Sequence, residues 1–149
     1  MKPVMYLIAN SSVKMSKGKF GAQAAHAGVE AYRLSAMRDN DHDMNLLAEW
    51  FVGGHYTKIV LMADDLHVAE RYLRDRGFDT TLIIDEGRTE FDGVLTPTFL
   101  GCAIVDKDDE HTAATFGTFK LYREPKPVPT ETRGPRRTQA LLDLINGRR

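Results

Sequence analysis

Two short stretches hold most of the side chains that could do chemistry. The first, KMSKGKFGAQAAHA (residues 14–27), sets Lys14, Lys17 and Lys19 ahead of a run of small residues that encloses Gln23 and His26. At helical pitch Lys19, Gln23, His26, Glu30 and Arg33 fall on one face and form a polar stripe. Positive charges at a helix start oppose the macrodipole, so this placement asks for a compensating anion such as phosphate. Gly21, Ala22, Ala24, Ala25, Ala27 and Gly28 cover little surface and let a backbone or a ligand approach closely. The plainer alternative is a solvated stripe opposite a packed face.

The second stretch is DEGRT (residues 85–89). Asp85 closes an apolar, β-branched run, which predicts a carboxylate at the carboxyl edge of a sheet, where open α/β folds bind ligands. Gly87 frees the backbone to turn, and Arg88 offers a planar fork for phosphate or carboxylate. Thr89, Thr96 and Thr98 add hydroxyls on either side of the loop. An ordinary turn with a local Asp85–Arg88 ion pair is the alternative here. Other chemistry finds less support. SKGKFG lacks the first glycine and the terminal Lys-Ser/Thr of a phosphate-binding Walker loop, and no Gly-x-Ser-x-Gly elbow occurs. His42 in DNDHD lacks the glycine and distal glutamate of a calcium loop, and His55, His67 and His111 have no metal-ligand spacing.

The elements that must position these residues follow from periodicity and punctuation. Val4–Ala9 reads as a buried strand, and Ser16 as the N-cap of a helix from about Lys17 to Met37. RDNDHD (38–43) reads as a polar break, and Met44–Val52 as a short helix stopped by Gly53-Gly54. Lys58–Met62 is a second strand. Asp64 or Asp65 caps a helix over Leu66–Arg76 whose apolar face is Leu66, Ala69, Tyr72 and Leu73. Residues 80–85 form a third strand and Thr98–Val105 a fourth, followed by a short helix in 106–115 and an edge strand in GTFKLY. This order predicts a single α/β domain, with a mixed sheet of about four strands and helices on both faces. The domain spans 1–124. Residues 125–149 form a proline-rich linker and a basic C-terminal helix, Thr138–Asn146.

Composition narrows the class. The chain has 149 residues, enough to bury a core without disulfides or metal, and its single cysteine, Cys102, excludes an intrachain disulfide framework. Cys102 lies in an apolar strand and reads as inert core. One cysteine and a short apolar start without a cleavage site fit a cytoplasmic protein, with no membrane segment. The net charge of −1 hides an asymmetry. Residues 125–149 carry six Lys/Arg against Glu131 and Asp143, whereas the rest of the chain is acidic. A nucleic-acid partner would therefore have to use a local patch, either the tail or the 14–19 cluster.

Taken together, KMSKGKFGAQAAHA, Trp50, the KIVL strand, LIIDEGRTE and GTFKLY resemble the type 2 peptidyl-tRNA hydrolases, in order and with fitting spacing over about residues 4–122. The resemblance implies hydrolysis of the ester joining a peptide to the 3′ end of tRNA, without metal or organic cofactor. It implies that Asp85, alone or through His26, positions the water, and that Lys19 and the Thr98 hydroxyl stabilise the developing charge. Arg88, Lys17 and Lys14 would hold phosphates, Gln23 would face the ester, and Thr89 matches the last residue of the loop motif. Lys58 falls on a basic position of the family pattern, and Thr96 competes with Thr98 for the same role. A homodimer is a further implication.

The chain departs from the pattern in four places. Glu86 replaces an alanine, and the Arg88–Thr98 loop is about one residue longer. AIVDKDD stands where Gly-Pro is usual, and NSSV stands in place of R-x-D-L. These departures keep a second reading open, a non-catalytic module of the same fold that binds tRNA or a protein partner. A third reading is an enzyme acting on another phosphate-bearing ester or amide.

Overall fold

The uninterrupted apolar run near the start forms β1 (Pro3–Asn10), and every residue of it is buried. Its side chains alternate between two cores. Val4, Tyr6 and Ile8 join Leu61, Leu66, Leu73, Leu100 and Phe116 on one face. Met5, Leu7 and Ala9 join Ala27, Ala31, Leu46, Trp50 and Phe99 on the other. A strand covered on both faces has no reason to alternate apolar with polar, which explains why its sequence does not. The computed structural model describes residues 1–126 and 144–147.

The elements follow in the order β1, α1 (Lys17–Ala36), α2 (Asp41–Val52), β2 (Lys58–Ala63), α3 (Leu66–Asp75), β3 (Thr80–Asp85), β4 (Thr96–Cys102), β5 (Val105–Asp106), α4 (Glu110–Phe116) and β6 (Lys120–Leu121). The sheet runs β3-β4-β1-β2-β6, with β5 also paired to β1. β1 and β2 are parallel, while the β1–β4, β3–β4 and β2–β6 pairs are antiparallel. The sheet is therefore mixed, and its helices cover both faces as expected. It has six strands rather than about four: the expected strand to Val105 breaks after Cys102, its end forming the two-residue β5 against β1, and the edge strand expected in GTFKLY is the two-residue β6.

Helix starts follow capping chemistry. The Ser16 side chain accepts from the Lys19 N–H and starts α1 where expected. α2 begins three residues earlier than its apolar pattern suggests. Asn40 caps it, and Asp41 and Asp43 in its first turn suit the positive end of the dipole, so half of the polar break is helix. Asp65, not Asp64, caps α3, and Gly77 follows α3 at φ +86°, in the left-handed region.

Close packing of α1 on the sheet sets the site. A Cβ at Gly101 of β4 would run into the Ala27 carbonyl oxygen of α1, so a side chain there would hold the helix away. Ala27 and Ala31 are fully buried at this contact, which is the use found for part of the small-residue run. The Arg-rich tail and most of the expected helix at Thr138–Asn146 lie outside the described residues.

Candidate active site

Because β3 runs in the same direction as β1, their carboxyl ends share one edge of the sheet with the start of β4. Asp85 ends β3 opposite Thr96, and Asn10 ends β1, where its Nδ2 donates to the Pro97 carbonyl at 2.8 Å. The first turns of α1 lie over this edge. There the Lys19 ammonium meets the Asp85 carboxylate at 2.6 Å, with both side chains nearly buried at 13% and 11% exposed. Lys19 Nζ also donates to Thr89 Oγ1 at 3.1 Å and lies 5.9 Å from the centre of the Phe91 ring.

Behind the pair runs a buried chain of hydrogen bonds. Thr98, with no exposed surface, donates from Oγ1 to Gln23 Oε1 at 2.6 Å. That bond fixes which way the amide faces, and Gln23 Nε2 then donates to Asp85 Oδ2 at 3.2 Å. The Gly87 N–H donates to Asp85 Oδ1 at 2.8 Å. The carboxyl group is held below its ordinary value, first by the Lys19 hydrogen bond, against partial desolvation, and then by the Gly87 N–H and the charges of Lys19 and His26. It is therefore a carboxylate at neutral pH.

Gly87 has a strict geometric reason to be glycine. Its φ is +73°, and a Cβ would lie 2.7 Å from both the N and the O of Val94. The 86–95 loop folds back on itself at this point, with a 3₁₀ turn over Phe91–Gly93. That return brings Glu90 onto the start of α1. The Ser16 hydroxyl donates to Glu90 Oε1, and the Ser16 N–H donates to Glu90 Oε2 at 3.3 Å. α1 has no acidic residue in its own first turn, so Asp85 and Glu90 bring the carboxylates that its lysines and dipole require. The anion anticipated from the lysine cluster is thus partly supplied by the chain itself.

The residues singled out in the sequence divide into three groups. Lys19, Gln23, Asp85, Thr89 and Thr98 form one connected network. Gln23, only 4% exposed, is not on the solvated stripe to which its spacing assigned it. His26 is exposed on the next turn of α1, close enough for its charge to act on Asp85, and no hydrogen bond links the two. Thr96 turns its hydroxyl to the Val94 carbonyl at 2.9 Å instead of joining the network.

Lys14, Lys17 and Arg88 lie exposed around the edge. Arg88 pairs with Glu86 at 2.7 Å rather than with Asp85, and both side chains are well exposed, so that pair is weak and easily exchanged. Lys58 is the outlier. It pairs in register with Met5, at the opposite end of the sheet, and its ammonium lies over the Trp50 ring at 4.8 Å. Asn10 and Glu90 escaped the sequence reading. Each acts across more than 70 residues, at a distance no local motif records.

An α/β sheet with a nearly buried lysine–carboxylate pair at the carboxyl edge of its strands, and exposed cations around it, has the layout of a site for an anionic substrate. A family model described as peptidyl-tRNA hydrolase PTH2 matches residues 3–122, and the chain belongs to this family. The peptidyl-tRNA hydrolase of Pyrobaculum aerophilum is 36% identical over 123 residues, covering 80% of this chain and 97% of that protein. The mitochondrial peptidyl-tRNA hydrolase 2 of Mus musculus is 34% identical over 122 residues, or 79% of this chain and 62% of the mouse protein. Its Homo sapiens counterpart is 33% identical, covering 79% of this chain and 63% of the human protein. The chain thus spans under two thirds of the mammalian relatives. Among the described residues no helix is long and apolar enough to cross a membrane.

Proposed function

We propose that this chain hydrolyses the ester linking a peptide to the 3′ end of tRNA. The observation that carries the reading is the Thr98–Gln23–Asp85–Lys19 network, which fixes a carboxylate and an ammonium side by side at an accessible edge. In the reaction a water oxygen bonds to the ester carbon and the bond to the ribose 3′ oxygen breaks. One water proton ends on that oxygen, and the products are a free peptide and tRNA.

Each residue has a task that follows from its environment. A carboxylate held below its usual range is a weak base, so Asp85 orients the water and stabilises neighbouring positive charge. His26, within its field, takes the proton from the water and passes it to the leaving oxygen. Lys19, kept in place by Asp85 and Thr89, faces the negative charge that develops on the tetrahedral carbon's oxygen. Thr98 is fully buried. In place of the charge-stabilising role expected of it, it positions Gln23. Lys14, Lys17 and Arg88 make sequence-blind phosphate contacts around the site.

Because Lys19 provides the positive charge, the reading requires no metal. The test is release of tRNA from an N-blocked aminoacyl-tRNA by the purified chain in the presence of a chelator. Release at wild-type rate with and without chelator is expected. No release in either condition overturns the activity, and release only without chelator overturns the metal-free chemistry.

A further inference from the structure

One cavity beside the active site has no place in the chemistry above. A groove of about 560 Å³ lies between the β1–α1 loop and the segment that leaves β6. Lys14, Lys17, Arg123 and Lys126 line it, with Glu124 as its one carboxylate among the described residues. None of the four cations is in an ion pair among the described residues, whereas Lys19, two residues along α1, is committed to Asp85. The wall includes Phe20 and Tyr122, whose half-buried rings pack together at 4.7 Å between centroids. Phe20 is backed in turn by Phe99 at 5.0 Å, and the Tyr122 N–H is tied to the Val60 carbonyl at 2.9 Å, so this aromatic wall is fixed by the core.

Three other cavities differ in character. The largest sets five aspartates against Arg38 and Arg76, a second carries Asp64 and Asp65 with Lys120, and a third has no aromatic lining. In a chain whose net charge is −1, a local concentration of cations without an ion pair among the described residues, over an aromatic wall, is the pattern that binds single-stranded nucleic acid. Cations follow the backbone phosphates, and the aromatic face stacks a base.

We propose that this groove holds the unpaired 3′-terminal nucleotides of the RNA substrate. A base would stack at Tyr122, with phosphates on Lys14, Lys17, Arg123 and Lys126, so that the 3′ ester reaches Lys19 less than one helical turn away. The proposal rests on the function given above and adds a direction to it. The RNA enters from the β6 side of α1, and the peptide leaves on the β3 side.

Equilibrium binding of deacylated tRNA, and of the same tRNA trimmed of its unpaired 3′ nucleotides, tests this across a salt series. Wild type should bind the intact tRNA roughly fivefold or more tighter than the trimmed one, the scale of one stacked base. Tyr122→Leu should abolish that preference, while Tyr122→Phe, which keeps the ring and its packing, should retain it. The double variant Arg123→Ala/Lys126→Ala should flatten the log–log salt slope for intact tRNA by about 1.4, from two lost single-strand phosphate contacts. An unchanged slope, a preference that survives Tyr122→Leu, or a wild type blind to trimming overturns the groove assignment. Because the ligand is deacylated, these outcomes do not depend on hydrolysis. Wild type that hydrolyses the blocked ester but fails these contrasts sinks the groove alone, and wild type that binds as expected without hydrolysing sinks the activity alone.

Discussion

Three donors converge on the Asp85 carboxylate: the Lys19 ammonium, the Gln23 amide and the Gly87 N–H. The carboxyl is consequently lowered from 3.8, with the Lys19 hydrogen bond as the largest cause. A carboxyl lowered by folding stabilises the protein above its ordinary range and loses that stabilisation as pH falls through the lowered value. Lys19→Ala removes the largest cause. Besides its loss of rate, this variant should show the Asp85 carboxyl titrating at higher pH than in wild type, followed by carboxyl NMR. An unchanged titration argues against the pairing. Thr98 offers a cleaner case because it is fully buried. Thr98→Val leaves Gln23 Oε1 without its donor and should cost about 1–3 kcal/mol of stability in urea unfolding, together with a lower kcat. Thr98→Ser keeps the hydroxyl and should recover most of the rate. Equal kcat in Val and wild type removes the positioning role.

Two local contacts that join the elements around the site are open to test. Ser16 both caps α1 and donates to Glu90, so it joins the helix start to the returning loop. Ser16→Ala should lower stability by about 0.5–2 kcal/mol in thermal or urea unfolding, the usual cost of a lost cap. If the melt is unchanged, the cap contributes nothing. Gly87→Ala faces both a left-handed φ and contact with Val94 backbone, so the loop must move. A destabilisation of about 1–3 kcal/mol is expected, with a fall in kcat because the N–H to Asp85 moves as well. The loop itself was readable in DEGRT as a glycine turn after a strand. Its return onto α1 was not, because the Ser16–Glu90 bonds span 74 residues. The start of α2 was misjudged for a related reason. Apolar periodicity begins at Met44, but Asn40 and two aspartates start the helix earlier by capping and charge.

At the scale of the whole molecule, β1 divides two cores, and Cys102 sits in one of them with no exposure. Burial pushes the Cys102 thiol far above its usual value, so the native protein should resist thiol reagents. Labelling at the rate of global unfolding is expected, and rapid labelling under native conditions contradicts this core. The α/β architecture was legible because β1, β2 and β3 are apolar runs closed by Asn10, Asp64 and Asp85 and the long helices carry caps. The edge strand in GTFKLY was legible and is β6, whereas the separate β5 was not, since two residues carry no periodicity. In the site, Lys19, Gln23 and Asp85 were found from motif residues, but their division of labour was not. Spacing placed Gln23 on a solvated stripe, whereas packing against β4 buries it, and Lys58 matched a family position yet lies at the far end of the sheet.

The most direct measurement is single-turnover hydrolysis of an N-blocked aminoacyl-tRNA by wild type and Asp85→Asn, at neutral pH and saturating enzyme. The asparagine retains shape and one acceptor but not the charge that holds Lys19. A fall in rate of about a hundredfold or more is predicted, in the range general for a lost acid–base or electrostatic group. Equal rates would contradict the central role given to the Lys19–Asp85 pair.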